Sequence, residues 1–111
     1  MDYFPYKVAG CYLYFTSHCI VRAEPFHTHA GDEERSESSS VKFFISADGS
    51  CVVKNNENKR LSDRQIAIIT RFIQEHYLQM YDRWKKHGGG DFYGTKIERE
   101  HTFKTHLFDD K

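Results

Sequence analysis

Apolar residues in the first half of the chain come in short runs separated by turn formers, whereas in the second half they recur at helical spacing. Gly10-Cys-Tyr-Leu-Tyr-Phe-Thr16 is rich in aromatics, as strands are. Cys19-Ile-Val-Arg-Ala23 predicts a second, shorter strand, after which Pro25 withholds a ladder donor. His27-Thr-His-Ala30 resumes an extended course. Residues 31–40, with one glycine, acidic residues and four serines, read as a loop or a loose hairpin tip. Val41-Lys-Phe-Phe-Ile-Ser46 predicts a strand, Asp48-Gly49 a tight turn, and Cys51-Val-Val-Lys54 the partner strand. Asn55-Asn-Glu-Asn58 closes this half with turn formers.

The second half predicts one long helix from Ser62 to His87. Ser62 is a good N-cap, because its hydroxyl can accept an orphan backbone N–H. Gln65, three residues on, can bond back and complete a capping box, and Leu61 and Ile66 stand at the two positions of a hydrophobic staple. At about 100° per residue, Ile66, Ile69, Ile73, Tyr77, Met80 and Trp84 fall within an arc of roughly 80°. Arg64, Arg71, Glu75, Asp82 and Lys86 lie opposite. Gly88-Gly-Gly90 ends the helix, since glycine tolerates the left-handed geometry after a C-cap.

Ile68 and Phe72 fall on a flank away from this stripe and form a candidate interaction surface. A second element or another chain must cover them. Phe103, Leu107 and Phe108 in the tail also need burial, so tail packing and a homodimer both answer the requirement. Strands followed by a helix imply an α+β domain over residues 1–87: an antiparallel sheet of three or four strands packed by one long amphipathic helix. Residues 88–111 then form a glycine linker and a C-terminal tail, packed back on the domain or on a partner chain.

The chain has 111 residues, 39% of them apolar, including nine Phe, seven Tyr and one Trp, which suffices for one compact core. Sixteen basic residues balance sixteen acidic ones, which argues against binding nucleic acid or an anionic membrane mainly by bulk charge. No apolar run approaches the ~20 residues needed to span a bilayer, so no membrane partner is expected. Met1 to Gly10 does not read as a secretory signal. Cys11, Cys19 and Cys51 are odd in number and lack C-x-x-C spacing, which points to reduced thiols in a cytoplasmic protein.

Seven histidines is a high count, and two form an H-x-H pair, His27 and His29. Residues two apart on a strand share a face, so both imidazoles can reach one metal or one anion. His18 and Glu24 lie close enough in sequence to add ligands, and a divalent transition metal would need three or four such donors. The bland alternative is a pair of solvated or hydrogen-bonded histidines, with no cofactor. An acid–base site is a second option, with His27 or His29 paired to Glu33 or Glu34. Cys19 beside His18 is weaker as a nucleophilic pair, because neighbours on a strand face opposite sides. His76 at the edge of the helical stripe reads as a partly buried imidazole, and His101 and His106 as solvated. Tyr12, Tyr14, Phe43 and Phe44 could stack bases, with basic support from Arg83, Lys85, Lys86 and Lys96, although half of these aromatics should be core.

Glu24-Pro-Phe-His-Thr-His-Ala30 followed by a strand, a turn and a capped helix ending in Tyr81-Asp-Arg-Trp84 resembles the small bacterial DUF4160 family. Its members carry a P-P-H-x-H-V segment and a helix closing on a tryptophan. The likeness covers residues 10–87. Phe26 and Ala30 depart from the pattern, Phe26 standing where it usually has its first histidine or second proline and Ala30 where it has the valine. The resemblance carries over Pro25, His27, His29 and Trp84, of which Trp84 already has a place on the apolar stripe. It implies a bacterial cytoplasmic protein with a protein partner, because genes of this family often lie in small operons resembling toxin–antitoxin modules. The preferred expectation is therefore a protein-interaction module of such an operon. The alternatives are a histidine-dependent nuclease or metal-dependent hydrolase at His27 and His29, and an RNA-binding module.

Overall fold

The computed structural model describes residues 1–94. Four strands form one antiparallel sheet in chain order: β1 (Tyr12–Tyr14), β2 (His27–Gly31), β3 (Val41–Ile45) and β4 (Cys51–Lys54). Between β1 and β2 sits a short helix, α1 (Ser17–Val21), and after β4 comes the long helix α2 (Asp63–Lys86). This is the α+β architecture that the patterning predicts, with four strands.

Alternation sorts the side chains onto two faces. Leu13, Ala30, Val41, Phe43 and Ile45 share one buried cluster with Ile69, Ile73, Met80 and Trp84 of α2. The buried–intermediate rhythm of β3 follows directly from this half-covered sheet. Ser62 and Gln65 form the capping box as expected: the Ser62 hydroxyl accepts the Gln65 N–H at 3.1 Å, and the Ser62 N–H donates to Gln65 Oε1 at 2.9 Å. Ser46 and Ser50 close the β3–β4 hairpin. Gly49 takes φ +86° there, and a Cβ on it would sit 2.8 Å from the Tyr77 ring.

The segment expected as a second strand, Cys19–Ala23, is instead α1 and the turn that ends it. Its β-branched Ile20 and Val21 fit a strand, but the sheet edge beside it, that of β1, is not free for one. The outer edge of β1 is taken by the N-terminal residues, with Tyr3 N–H donating to the Leu13 carbonyl at 2.9 Å and Phe15 N–H to that of Met1 at 3.0 Å. The chain therefore crosses from β1 to β2 as one helical turn, and Ala23 at φ +54° breaks it.

The Phe72 part of the α2 flank is covered from the same N-terminal segment, while Ile68 stays exposed. Phe4 and Tyr6 pack edge-on against Phe72, with ring centroids 5.1 and 6.2 Å away. Phe103, Leu107 and Phe108, the tail residues considered for that role, lie outside the described residues. Gly88 ends α2 at φ +91°. The glycines that follow are packed against the domain, because Trp84 Nε1–H donates to the Gly90 carbonyl at 2.7 Å. The chain then returns to the sheet: Phe26 N–H donates to Asp91 O and Tyr93 N–H to Ile45 O, both at 2.9 Å.

Candidate metal centre

His27 and His29 share one sheet face, as their two-residue spacing requires, and it is the face opposite Ala30 and Val41. Their cross-strand neighbours there are Phe44, Lys42 and Tyr14. α1 lies over this face and brings down a single buried residue, Cys19. The Cys19 Sγ is 3.2 Å from His27 Nε2 and 3.5 Å from His29 Nε2. All three donor atoms lie within 4.8 Å of one another, and the residues are 0%, 0% and 2% exposed. A tetrahedral ion with metal–nitrogen bonds of about 2.0 Å and a metal–sulfur bond of about 2.3 Å separates nitrogen from sulfur by roughly 3.5 Å.

Hydrogen bonds fix both tautomers. His27 Nδ1 lies 2.8 Å from the Pro25 carbonyl oxygen, which can only accept, so Nδ1 carries the proton. His29 Nδ1 lies 2.8 Å from the Ser40 hydroxyl, which already donates to the Glu37 carbonyl at 3.0 Å, so this Nδ1 also donates. Both Nε2 lone pairs are thereby turned toward Cys19. Burial pushes both imidazoles down to about 4, and the Lys42 charge adds to it, so both rings are neutral at physiological pH. Orientation of ligand imidazoles by carbonyl and hydroxyl partners is the usual outer-sphere arrangement of metal sites. Tyr14 stacks on His29 with centroids 5.4 Å apart, and Trp84 meets the His27 ring edge-on at 5.1 Å, so both rings are held.

A charged rim surrounds the triad. Glu24 Oε1 is 3.7 Å from His27 Nε2 and accepts from Lys42 Nζ at 2.9 Å, while its Oε2 accepts from Arg22 Nε at 2.6 Å. Arg22 also reaches Glu37 Oε1 at 2.8 Å, clipping α1 to the β2–β3 loop. Burial pushes Glu37 up, but hydrogen bonds from Thr16 and Arg22 outweigh it and hold the carboxyl at about 2. The same balance, with Lys42 and Arg22 as donors, holds Glu24 below its ordinary value.

The expected site residues separate. His27 and His29 converge. His18 does not join them: its side chain is 74% exposed and turns to Glu37, 3.4 Å away. Glu33 and Glu34 are exposed in the β2–β3 loop, where Asp32 Oδ1 accepts the Glu34 N–H at 3.0 Å. The carboxylate beside the histidines is Glu24 instead. Cys19, weighed from the sequence only as a nucleophile beside His18, is the third donor, and the spacing C-x7-H-x-H was its signal. Tyr14 and Phe43 are buried, and Tyr93 lies over Phe44 at 4.9 Å, so three of the four aromatics considered for base stacking are covered. His76 is half-buried between Phe4 and Phe72. Ile68 remains exposed.

The profile of DUF4160, a domain of unknown function, matches residues 10–85. The chain belongs to the DUF4160 family. The DUF4160 match encloses Cys19, His27, His29 and Trp84, and so takes in the whole triad. Among curated proteins and among solved structures, no match to the chain is found. No helix among the described residues is long and apolar enough to cross a membrane.

Proposed function

We propose that this DUF4160 domain binds one divalent transition-metal ion, zinc being the reference case, through Cys19 Sγ, His27 Nε2 and His29 Nε2. One observation carries the reading. Three acceptors face the thiol and only one proton is available to them. The two Nε2 atoms are lone pairs, and Thr16 Oγ1, 3.4 Å from Sγ, already donates to Glu37. At least one buried ring nitrogen is therefore without a donor, at a cost of about 1–3 kcal/mol. A metal ion in place of the thiol proton satisfies the sulfur and both nitrogens together.

Enclosure supports holding over turnover. A hydrolase keeps an open ligand position for water and substrate, whereas Cys19, His27 and His29 are closed in by α1, Tyr14 and Trp84. The ion would join α1 to the sheet. The test is zinc titration of tag-free protein by calorimetry, alongside Cys19→Ser and His27→Ala. Stoichiometric, chelator-reversible binding lost in both variants is expected. Absence of binding at micromolar zinc removes the reading.

A second reading, a protein-interaction module of a toxin–antitoxin-like operon in a bacterial cytoplasm, is supported by family membership, by three free cysteines and by the exposed Ile68 on α2. Co-purification with the product of the adjacent gene, lost on Ile68→Glu, tests it.

A further inference from the structure

We propose that Glu24 is the fourth ligand of the ion held by Cys19, His27 and His29, and that it reaches the ion by leaving Lys42. The inference rests on the metal-binding reading above.

Charge balance carries the argument. A divalent ion bound by one thiolate and two neutral imidazoles retains one positive charge. That charge would sit in an enclosed site facing the Lys42 ammonium, and a buried charge without a counter-ion is strongly unfavourable. One further carboxylate makes the centre neutral. Glu24 offers the nearest such group, with Oε1 3.7 Å from His27 Nε2. Glu37 carries two hydrogen bonds, as Glu24 does, from Thr16 and from Arg22 at 2.8 Å, but it faces the exposed His18, 3.4 Å away, and pairs with neither buried ring.

The backbone leaves Glu24 only a side-chain movement to make. Its N–H donates to the Cys19 carbonyl at 3.2 Å, which ties the carboxylate to the residue bearing the sulfur ligand. Its own carbonyl lies so close to Gly90 that a Cβ there would be 2.6 Å away. Rotation of the carboxylate toward the triad forms one metal–oxygen bond and breaks the Lys42 Nζ–H···Oε1 hydrogen bond. Lys42 does not become stranded, since its side chain is 22% exposed and its ammonium already lies 5.0 Å from the Phe44 ring centroid. Two nitrogens, one sulfur and one oxygen form a borderline donor set, which suits zinc or cobalt(II) and not the all-oxygen cations magnesium and calcium.

Cobalt(II) added to the full chain reads the two assignments separately. The thiolate-to-cobalt charge-transfer band reports Cys19, and the intensity of the visible d–d bands reports four-coordination. In Glu24→Gln the charge-transfer band persists, the d–d intensity falls, and zinc affinity weakens by about tenfold or more. In Lys42→Met, where Glu24 Oε1 is freed beforehand while Oε2 stays on Arg22, zinc binds about two- to fivefold tighter, the range a partly exposed ion pair carries. An unchanged spectrum and zinc affinity in Glu24→Gln overturn the Glu24 assignment while leaving the triad. Unchanged affinity in Lys42→Met overturns the exchange, and decides the matter if Glu24→Gln does not fold. Absence of the charge-transfer band in the wild-type protein removes the metal-binding reading itself.

Discussion

Trp84 Nε1 lies 2.7 Å from the carbonyl oxygen of Gly90, so the indole that closes the core also anchors the turn after α2. Gly89 lies against the face of that indole, and a Cβ on it would overlap the ring. Trp84 is fully buried and cannot give way. Gly89→Ala is therefore expected to destabilise the domain by about 1–3 kcal/mol, the range for overpacking a filled core. Urea unfolding checks this, and unchanged stability would mean that the turn repacks freely.

Acid destabilises this fold through two rings. His27 and His29 are held near 4 in the folded chain against an ordinary 6.5. Between those values the unfolded chain binds more protons than the folded one, so stability rises with pH over that window. It is fully present above about 6.5 and is lost as pH falls toward 4, on the order of 3 kcal/mol per ring. The depressed Glu37 removes more at still lower pH. Urea unfolding at pH 7.5 and at pH 4.5 measures the difference, and equal midpoints would contradict the burial of the rings.

Metal binding and stability are linked. With free zinc at a hundredfold excess over its Kd, unfolding is expected to require about 2.7 kcal/mol more. Cys19→Ser should lose most of that increment, because the sulfur supplies the anionic donor. Thermal melts with zinc and with chelator, for both proteins, give the comparison.

The capping box contributes independently of the site. Ser62→Ala leaves the Gln65 N–H unpaired at the start of α2 and is expected to lower stability by about 1 kcal/mol, with no change in metal affinity. Loss of affinity in this variant would show that helix and site are coupled.

Much of the fold was legible because single residues with one physical meaning mark its boundaries. Ser62 and Gln65 name the start of α2, Gly88 its end, and Asp48-Gly49 the hairpin. His27 and His29 were legible as a same-face pair from their spacing alone. Cys19 was not, because a five-residue helix holds too little periodicity to outweigh Ile20 and Val21, which fit a strand. The change from strand to helix then decided the chemistry, since it is the helical turn that carries the sulfur down to the two rings. Glu24 was legible as a neighbour of the histidines, but Glu33 and Glu34 were equally so until the turn at Asp32 directed them to solvent.

Helix α1 has a single buried side chain, that of Cys19, and Val21 on it is 81% exposed. A helix of one turn has almost no persistence of its own. Its amide protons should therefore trade with solvent deuterium far sooner than those of β3, and the thiol is the pin of this latch. Capture of that sulfur would add to the Arg22–Glu37 clip and lengthen the time the crossover stays shut.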